Sequence, residues 1–172
     1  MSIAAFDIGG TALKMGIATA QGELLQTDKA AIKNSDGEAI LSHMLSWVTA
    51  HRALDGIAIS APGYVNPHTG FIEMGGAIRR FDQFALQAWL EAQTGLPVTV
   101  ENDANYVLLA ERWQGKATGI DNFLVLTIGT GIGGAIFCNG RLGPRGRFCA
   151  GGVGYMLSGR GDSKRVARPP LN

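Results

Sequence analysis

The sequence predicts an α/β protein with a mixed sheet, and three observations carry that reading. An apolar run, Ile3 to Phe6, ends abruptly at Asp7-Ile8-Gly9-Gly10-Thr11 and is followed by a second run, Leu13 to Ala18, so that two strands flank a glycine turn. The design returns at Phe123 to Cys138, where Leu126-Thr127-Ile128-Gly129-Thr130-Gly131 aligns without a gap on Phe6-Asp7-Ile8-Gly9-Gly10-Thr11. Between the copies, short apolar runs alternate with stretches of helical spacing. A widely spaced pair of similar units suggests a duplicated architecture, because solenoid repeats follow one another closely.

In the first unit, Gly9, Gly10 and Thr11 let the backbone approach a ligand and aim its N–H groups into a concave nest, a common phosphate cradle. Asp7 at the strand end could hold a magnesium ion directly or through water. The same residues also suit a plain hairpin in which Asp7 satisfies turn amides. Gly22 turns the chain into a third strand, Glu23 to Ala31, which completes an antiparallel meander. Ser35-Asp36-Gly37-Glu38 has the form of a capping box with Ser35 as the cap, and Ile40, Met44, Trp47 and Val48 follow at helical spacing. That helix should end near His51 to Leu54. His43 and His51 have no cysteine or carboxylate at a ligand-like interval and read as solvated or core histidines.

Gly56 to Ser60 is a buried strand running into Ala61-Pro62-Gly63, which reads either as a structural turn or as a ligand loop at the lip of a sheet. Asp82 is placed to cap the next helix, with Phe81 and Leu86 as a hydrophobic staple and Ala85, Trp89 and Leu90 on its apolar face. Gly95 and Pro97 stop it. Val98 to Glu101 is a further strand that leads through Asn102-Asp103 into a helix carrying Val107, Leu108 and Trp113, closed near Gly115. Asp103 has two readings. It is the N-cap of that helix, or it faces a cleft, is kept ionised by the helix dipole, and accepts a substrate proton during phosphoryl transfer.

The 172 residues suffice for one domain, or for one and part of a second. A net charge of +1 with 17% charged residues argues against a basic surface for nucleic acid. Cys138 and Cys149 make no disulfide framework, so a reduced cytoplasm fits. Met1 to Asp7 offers neither the basic segment nor the apolar length of a signal peptide or membrane span, and a soluble protein without membrane partners is expected.

Together, Asp7-Ile8-Gly9-Gly10-Thr11, Ser60-Ala61-Pro62-Gly63, Glu101-Asn102-Asp103-Ala104-Asn105 and Leu126 to Gly134 resemble, in order and spacing, the ROK family of bacterial sugar kinases and related repressors. The resemblance covers about Ile3 to Met156. It implies the actin-like, ribonuclease-H-like ATPase fold, with ATP and sugar meeting between two lobes. Residues 1–118 would form the first lobe and 119–156 the beginning of the second. By the same resemblance, Gly9, Gly10 and Thr11, then Thr130, Gly131 and Gly133, bind the phosphates of ATP, with Asp7 near Mg2+. Asn102 holds sugar hydroxyls, Asp103 is the catalytic base, and Gly63 and Gly76 belong to the sugar site. Gly76-Ala77-Ile78 resembles the β-glucoside kinase type more than the glucokinase type. A homo-oligomer, a dimer, is expected.

Family members usually continue with Gly-Glu-x-Gly-His, whereas here Gly152 stands in place of the Glu and Tyr155 in place of the His, and the zinc cysteines are missing. Zinc is therefore not expected. Leu157 to Asn172, with Arg160, Lys164, Arg165 and Arg168 before Pro169-Pro170, reads as a disordered tail. The loss of resemblance there suggests a shortened or frame-shifted chain. The expected function is ATP-dependent transfer of the γ-phosphoryl group to a hexose or glucoside hydroxyl, at a much reduced rate if the chain is shortened. The alternatives are a non-catalytic remnant and a sugar-binding relative of the repressors. A Rossmann dehydrogenase is disfavoured, since neither glycine turn shows Gly-x-Gly-x-x-Gly opening a helix.

Overall fold

The computed structural model describes residues 1–51, 53–128 and 132–143. Along the chain come β1 (Ser2–Ile8), β2 (Ala12–Thr19), β3 (Leu24–Ala31), α1 (Gly37–Ala50), β4 (Gly56–Ala61), β5 (Tyr64–Val65), β6 (Phe71–Met74), β7 (Phe84–Ala85) and α2 (Leu86–Thr94). They are followed by β8 (Val98–Asn102), α3 (Asp103–Gln114), β9 (Phe123–Ile128), β10 (Ile132–Cys138) and β11 (Arg141–Leu142).

The mixed sheet forms as expected, in the order β3-β2-β1-β4-β8. Its first three strands are the antiparallel meander, while β4 and β8 join β1 in parallel, as the crossovers through α1 and α2 require. Strand alternation decides which side is covered. Ala4, Phe6 and Ile8 of β1, Leu13 and Met15 of β2, and Ile57 and Ile59 of β4 are buried with Ile40 and Met44 of α1 and Leu86 and Leu90 of α2. Each of these larger side chains contributes roughly 1.5–3 kcal/mol on burial. The opposite side carries small or polar residues, Ala5, Gly16, Ala58 and Ser60, and with Tyr106 of α3 it bounds a cavity of about 590 Å³. At the free edge, β3 exposes nearly all its side chains, and Asp28 and Lys29 discourage another strand from pairing there.

Two helix starts differ from expectation. Asp36, not Ser35, caps α1, its Oδ1 accepting from the N–H groups of Glu38 (3.0 Å) and Ala39 (3.1 Å). Asn34 and Ser35 both take left-handed φ, 53° and 52°, which moves the cap one residue along and brings the Ser35 hydroxyl to the carbonyl of Gly10 (3.4 Å). Asp82 does not cap α2, because Phe84 and Ala85 first pair with β6 as β7. The helix therefore starts at Leu86, exposed Ala85 lies outside its apolar face, and Asp82 Oδ1 accepts from Gly75 N–H instead (2.8 Å).

A second apolar cluster joins Ala104 and Leu108 of α3 to Ala135 and Phe137 of β10, flanked by Phe123, Val125 and Leu142. At Gly133 a Cβ would crowd Thr127 Oγ1 of the paired strand at 2.5 Å and would lie in ordinary contact, 3.7 Å, with Ala104 Cβ of α3. The turn Gly129-Thr130-Gly131, Cys149, Gly152, Tyr155 and the basic tail lie outside the described residues. Among the described residues, no helix is long and apolar enough to cross a membrane.

Candidate active site

Because β1, β4 and β8 run parallel, their C-terminal ends bring Asp7, Ser60 and Asn102 to one edge of the sheet, where α/β proteins bind ligands. Asp7 stands in register with Lys14 on one side and Ser60 on the other. Its Oδ2 accepts from Lys14 Nζ at 2.7 Å and its Oδ1 from Ser60 Oγ at 3.0 Å. In the adjoining turn, Gly9 N–H closes on the carbonyl of Ala12 at 3.0 Å, whereas the N–H groups of Gly10 and Thr11 have no partner among the described residues. A Cβ on Gly10 would meet nothing within 4 Å, so the fold itself does not require glycine there. One carboxylate beside two open N–H groups suits Mg2+, which keeps several waters and is usually held by one or two carboxylates plus substrate phosphates. Among the described residues, no three His, Cys, Asp or Glu side chains gather into an all-protein metal cage.

At the start of α3, Asn102 is the cap, not Asp103. Asn102 Oδ1 accepts from the N–H groups of Ala104 (3.0 Å) and Asn105 (3.3 Å), and its Nδ2 donates to the carbonyl of Gly63 (2.9 Å). Beneath it, Glu101 is buried and its Oε1 accepts from Asn102 N–H (2.8 Å) and Asn105 Nδ2 (2.9 Å), which ties β8 to the helix. Asp103 accepts from Ala104 N–H at 2.8 Å, and although its carboxyl reaches solvent, it sits against the start of α3, partly shielded from water. Its carboxyl is raised above the ordinary aspartate value, mainly by partial burial and further by the charge of Asp7, against the opposing bonds from Ala104 and Asn102. Desolvation thus outweighs the lowering supplied by the hydrogen bonds at the helix start. A carboxylate shifted toward neutrality is a better proton acceptor than a free aspartate.

Gly63 and Gly76 meet beside Asn102. Gly63 has φ 88° and a Cβ there would overlap the Met74 carbonyl, while a Cβ on Gly76, at φ 63°, would lie 3.7 Å from Gly63 N. Gly133 abuts Ala104, the neighbour of Asp103, so the described part of the second hairpin reaches the same corner. Thr130 and Gly131 lie outside the described residues. The sequence reading missed Lys14 and Ser60. Lys14 is the one charged residue in β2, and Ser60 the one hydroxyl in β4, signals that alternation alone could have raised.

A five-stranded mixed sheet with a glycine turn after its first strand and carboxylates at two strand ends defines a protein of the actin-like ATPase class. The chain belongs to the ROK family, whose profile matches residues 3–164. It is 63% identical over all 172 residues to a β-glucoside kinase of Klebsiella pneumoniae and spans 58% of that relative's length. Among solved structures, the Lmo2764 protein of Listeria monocytogenes, named provisionally as an N-acetylmannosamine kinase, is 61% identical with a TM-score of 0.91 over 96% of this chain and 57% of that one. A ROK glucokinase from Streptomyces griseus, in complex with glucose and AMPPNP, is 30% identical with a TM-score of 0.78 over 90% and 49%. The chain thus spans somewhat more than half the length of the curated relatives it matches. The likeness does not stop at Met156: it continues through the basic stretch to Asn172, which removes the ground for reading a frame-shift there.

Proposed function

We propose that the protein is a cytoplasmic, homodimeric sugar kinase that uses ATP and Mg2+ to phosphorylate a hydroxyl of a β-glucoside or hexose. The observation that carries this reading is the convergence on one edge of the sheet of Asp7 and Ser60, at the ends of β1 and β4, with Asn102 and the adjoining Asp103 at the junction of β8 and α3. Bound Mg2+ and ATP would supply the phosphoryl group and the cation that neutralises it. The chain's own residues supply the positioning, which is most of what phosphoryl transfer needs. Gly10 and Thr11 offer their N–H groups to phosphate oxygens. Asn102 spends one amide hydrogen on Gly63, and its second is left to donate to a sugar hydroxyl. Asp103 accepts the proton of the attacking hydroxyl as its oxygen bonds to the γ-phosphorus and the bond to the bridging oxygen of the leaving ADP breaks.

The likeness to β-glucoside kinases favours a β-glucoside as substrate. A coupled ADP-release assay on the purified protein, with ATP, Mg2+ and a panel of β-glucosides, hexoses and N-acetylmannosamine, tests the reading. Preferred turnover of a β-glucoside is expected, and light scattering should give the mass of a dimer. Calorimetric sugar binding by folded protein without turnover of any member would overturn the kinase reading in favour of a non-catalytic sugar binder.

A further inference from the structure

We infer that Ser60 is a positioning residue for Asp7, fixing the orientation of its carboxylate for the metal-bound nucleotide. The inference rests on the reading of Asp7 as the carboxylate nearest the metal. Ser60 lies beside Asp7 in the parallel register of β1 and β4, and its hydroxyl donates to Asp7 Oδ1 at 3.0 Å. Nothing in the packing asks for a hydroxyl at this position. Its same-face neighbours are Ala5 and Ala58, the three border one open cavity, and Asp7 is the partner of Ser60 Oγ among the described residues.

The two partners of Asp7 differ in kind. Lys14 reaches Oδ2 from an exposed, flexible stem, and an exposed ion pair of this sort adds little and is readily given up. As a cation it also opposes the arrival of another cation. Ser60 is neutral and short, and it stands on an interior strand of the sheet, so it gives up little side-chain freedom and has no charge to repel a metal. Its bond therefore persists when Lys14 is displaced, and Oδ2 is the oxygen open to exchange. A hydrogen-bonded partner behind a metal-side ligand is the arrangement whose loss typically costs about 10- to 100-fold in metal affinity or activity.

The test compares Ser60→Ala, Ser60→Thr and Asp7→Asn in the purified protein. Two quantities are read: Mn2+ affinity in the presence of AMPPNP, by electron paramagnetic resonance, and kcat with the KM for sugar. Ser60→Ala is expected to weaken Mn2+ binding or lower kcat by about tenfold or more, with the KM for sugar and the melting temperature unchanged. Ser60→Thr should recover most of the loss. Should Ser60→Ala melt early, Ser60→Thr against Ser60→Val carries the comparison, because that pair differs in the hydroxyl at nearly equal volume. Wild-type Mn2+ affinity in Asp7→Asn would overturn the metal-side reading of Asp7. A clear loss in Asp7→Asn with none in Ser60→Ala, or no advantage of Thr over Ala or Val, would overturn the role of Ser60 alone.

Discussion

Asn102 joins Gly63 and α3 through one side chain: its amide donates to the Gly63 carbonyl at 2.9 Å while its oxygen caps the helix at Ala104 N–H. The spacing between the Pro62-Gly63 loop and the helix start that presents Asp103 is therefore set by a single residue. Asn102→Asp and Asn102→Ala separate its two tasks. Asp caps as well as Asn, so Asn102→Ala should lose about 0.5–2 kcal/mol of cap stability that Asn102→Asp keeps. Both lose the donor, and both should lose sugar affinity. Urea denaturation with sugar calorimetry checks this, and full sugar affinity in Asn102→Asp would remove Asn102 from the sugar site.

Asp103→Asn is expected to lower kcat by at least about a hundredfold while sugar affinity stays within a few-fold, as for loss of a general base. Turnover above about a tenth of wild type would exclude that role.

The same substitution should stabilise the fold, in a way that depends on pH. The folded-state pKa of Asp103 is raised, so the folded protein holds this proton more tightly than the unfolded chain. Folding is favoured fully below the ordinary aspartate value, and that advantage is lost as pH rises through the folded pKa. Above both values the native state carries an ill-solvated charge that Asn lacks. Melting curves should show Asp103→Asn gaining stability over wild type near neutral pH and the gain vanishing in acid; an equal gain at all pH values would mean that Asp103 is not perturbed.

Gly10→Val addresses the first glycine turn. No atom lies within 4 Å of the added Cβ, so the melting temperature should hold, yet the side chain would stand where phosphate approaches the Gly10 and Thr11 N–H groups. ATP affinity should fall sharply with sugar affinity unchanged. Calorimetry with each ligand separately decides it, and unchanged ATP affinity would leave the turn a plain hairpin.

Gly63→Ala should behave in the opposite way. At φ 88° with the Met74 carbonyl in the path of a Cβ, it must move backbone. A destabilisation of about 2 kcal/mol or more is expected, and a smaller loss by denaturant titration would show that the loop yields easily.

Much of this was legible in the residues, because the features involved are local. Asp7-Ile8-Gly9-Gly10-Thr11 between alternating strands forms the hairpin it spells, and Asn102-Asp103 marks the change from the two-residue period of β8 to the helical spacing of α3. The caps were harder to read. Ser35 and Asp36, or Asn102 and Asp103, share cap chemistry, and the backbone angles of one residue select between them: φ 52° at Ser35 and ψ 145° at Asn102. Partners fixed by strand register were out of reach as well: Ser60 meets Asp7 only because β4 lies beside β1, and the upward shift of Asp103 comes from surroundings that only the fold assembles.

The way α3 is held has a consequence for how the protein opens. Toward the five-stranded sheet it makes polar contacts, Asn105 to Glu101 and Gln114 to the Gln21 carbonyl, while Ala104 and Leu108 go into the cluster with β10. Protection against hydrogen exchange follows apolar burial, so the amides of α3 should open together with those of β9 and β10, separately from β1 and β4. The boundary between two cooperative units then runs through the peptide bond that links Asn102 to Asp103, so the residue proposed to orient the sugar and the one proposed to take its proton would differ in local stability.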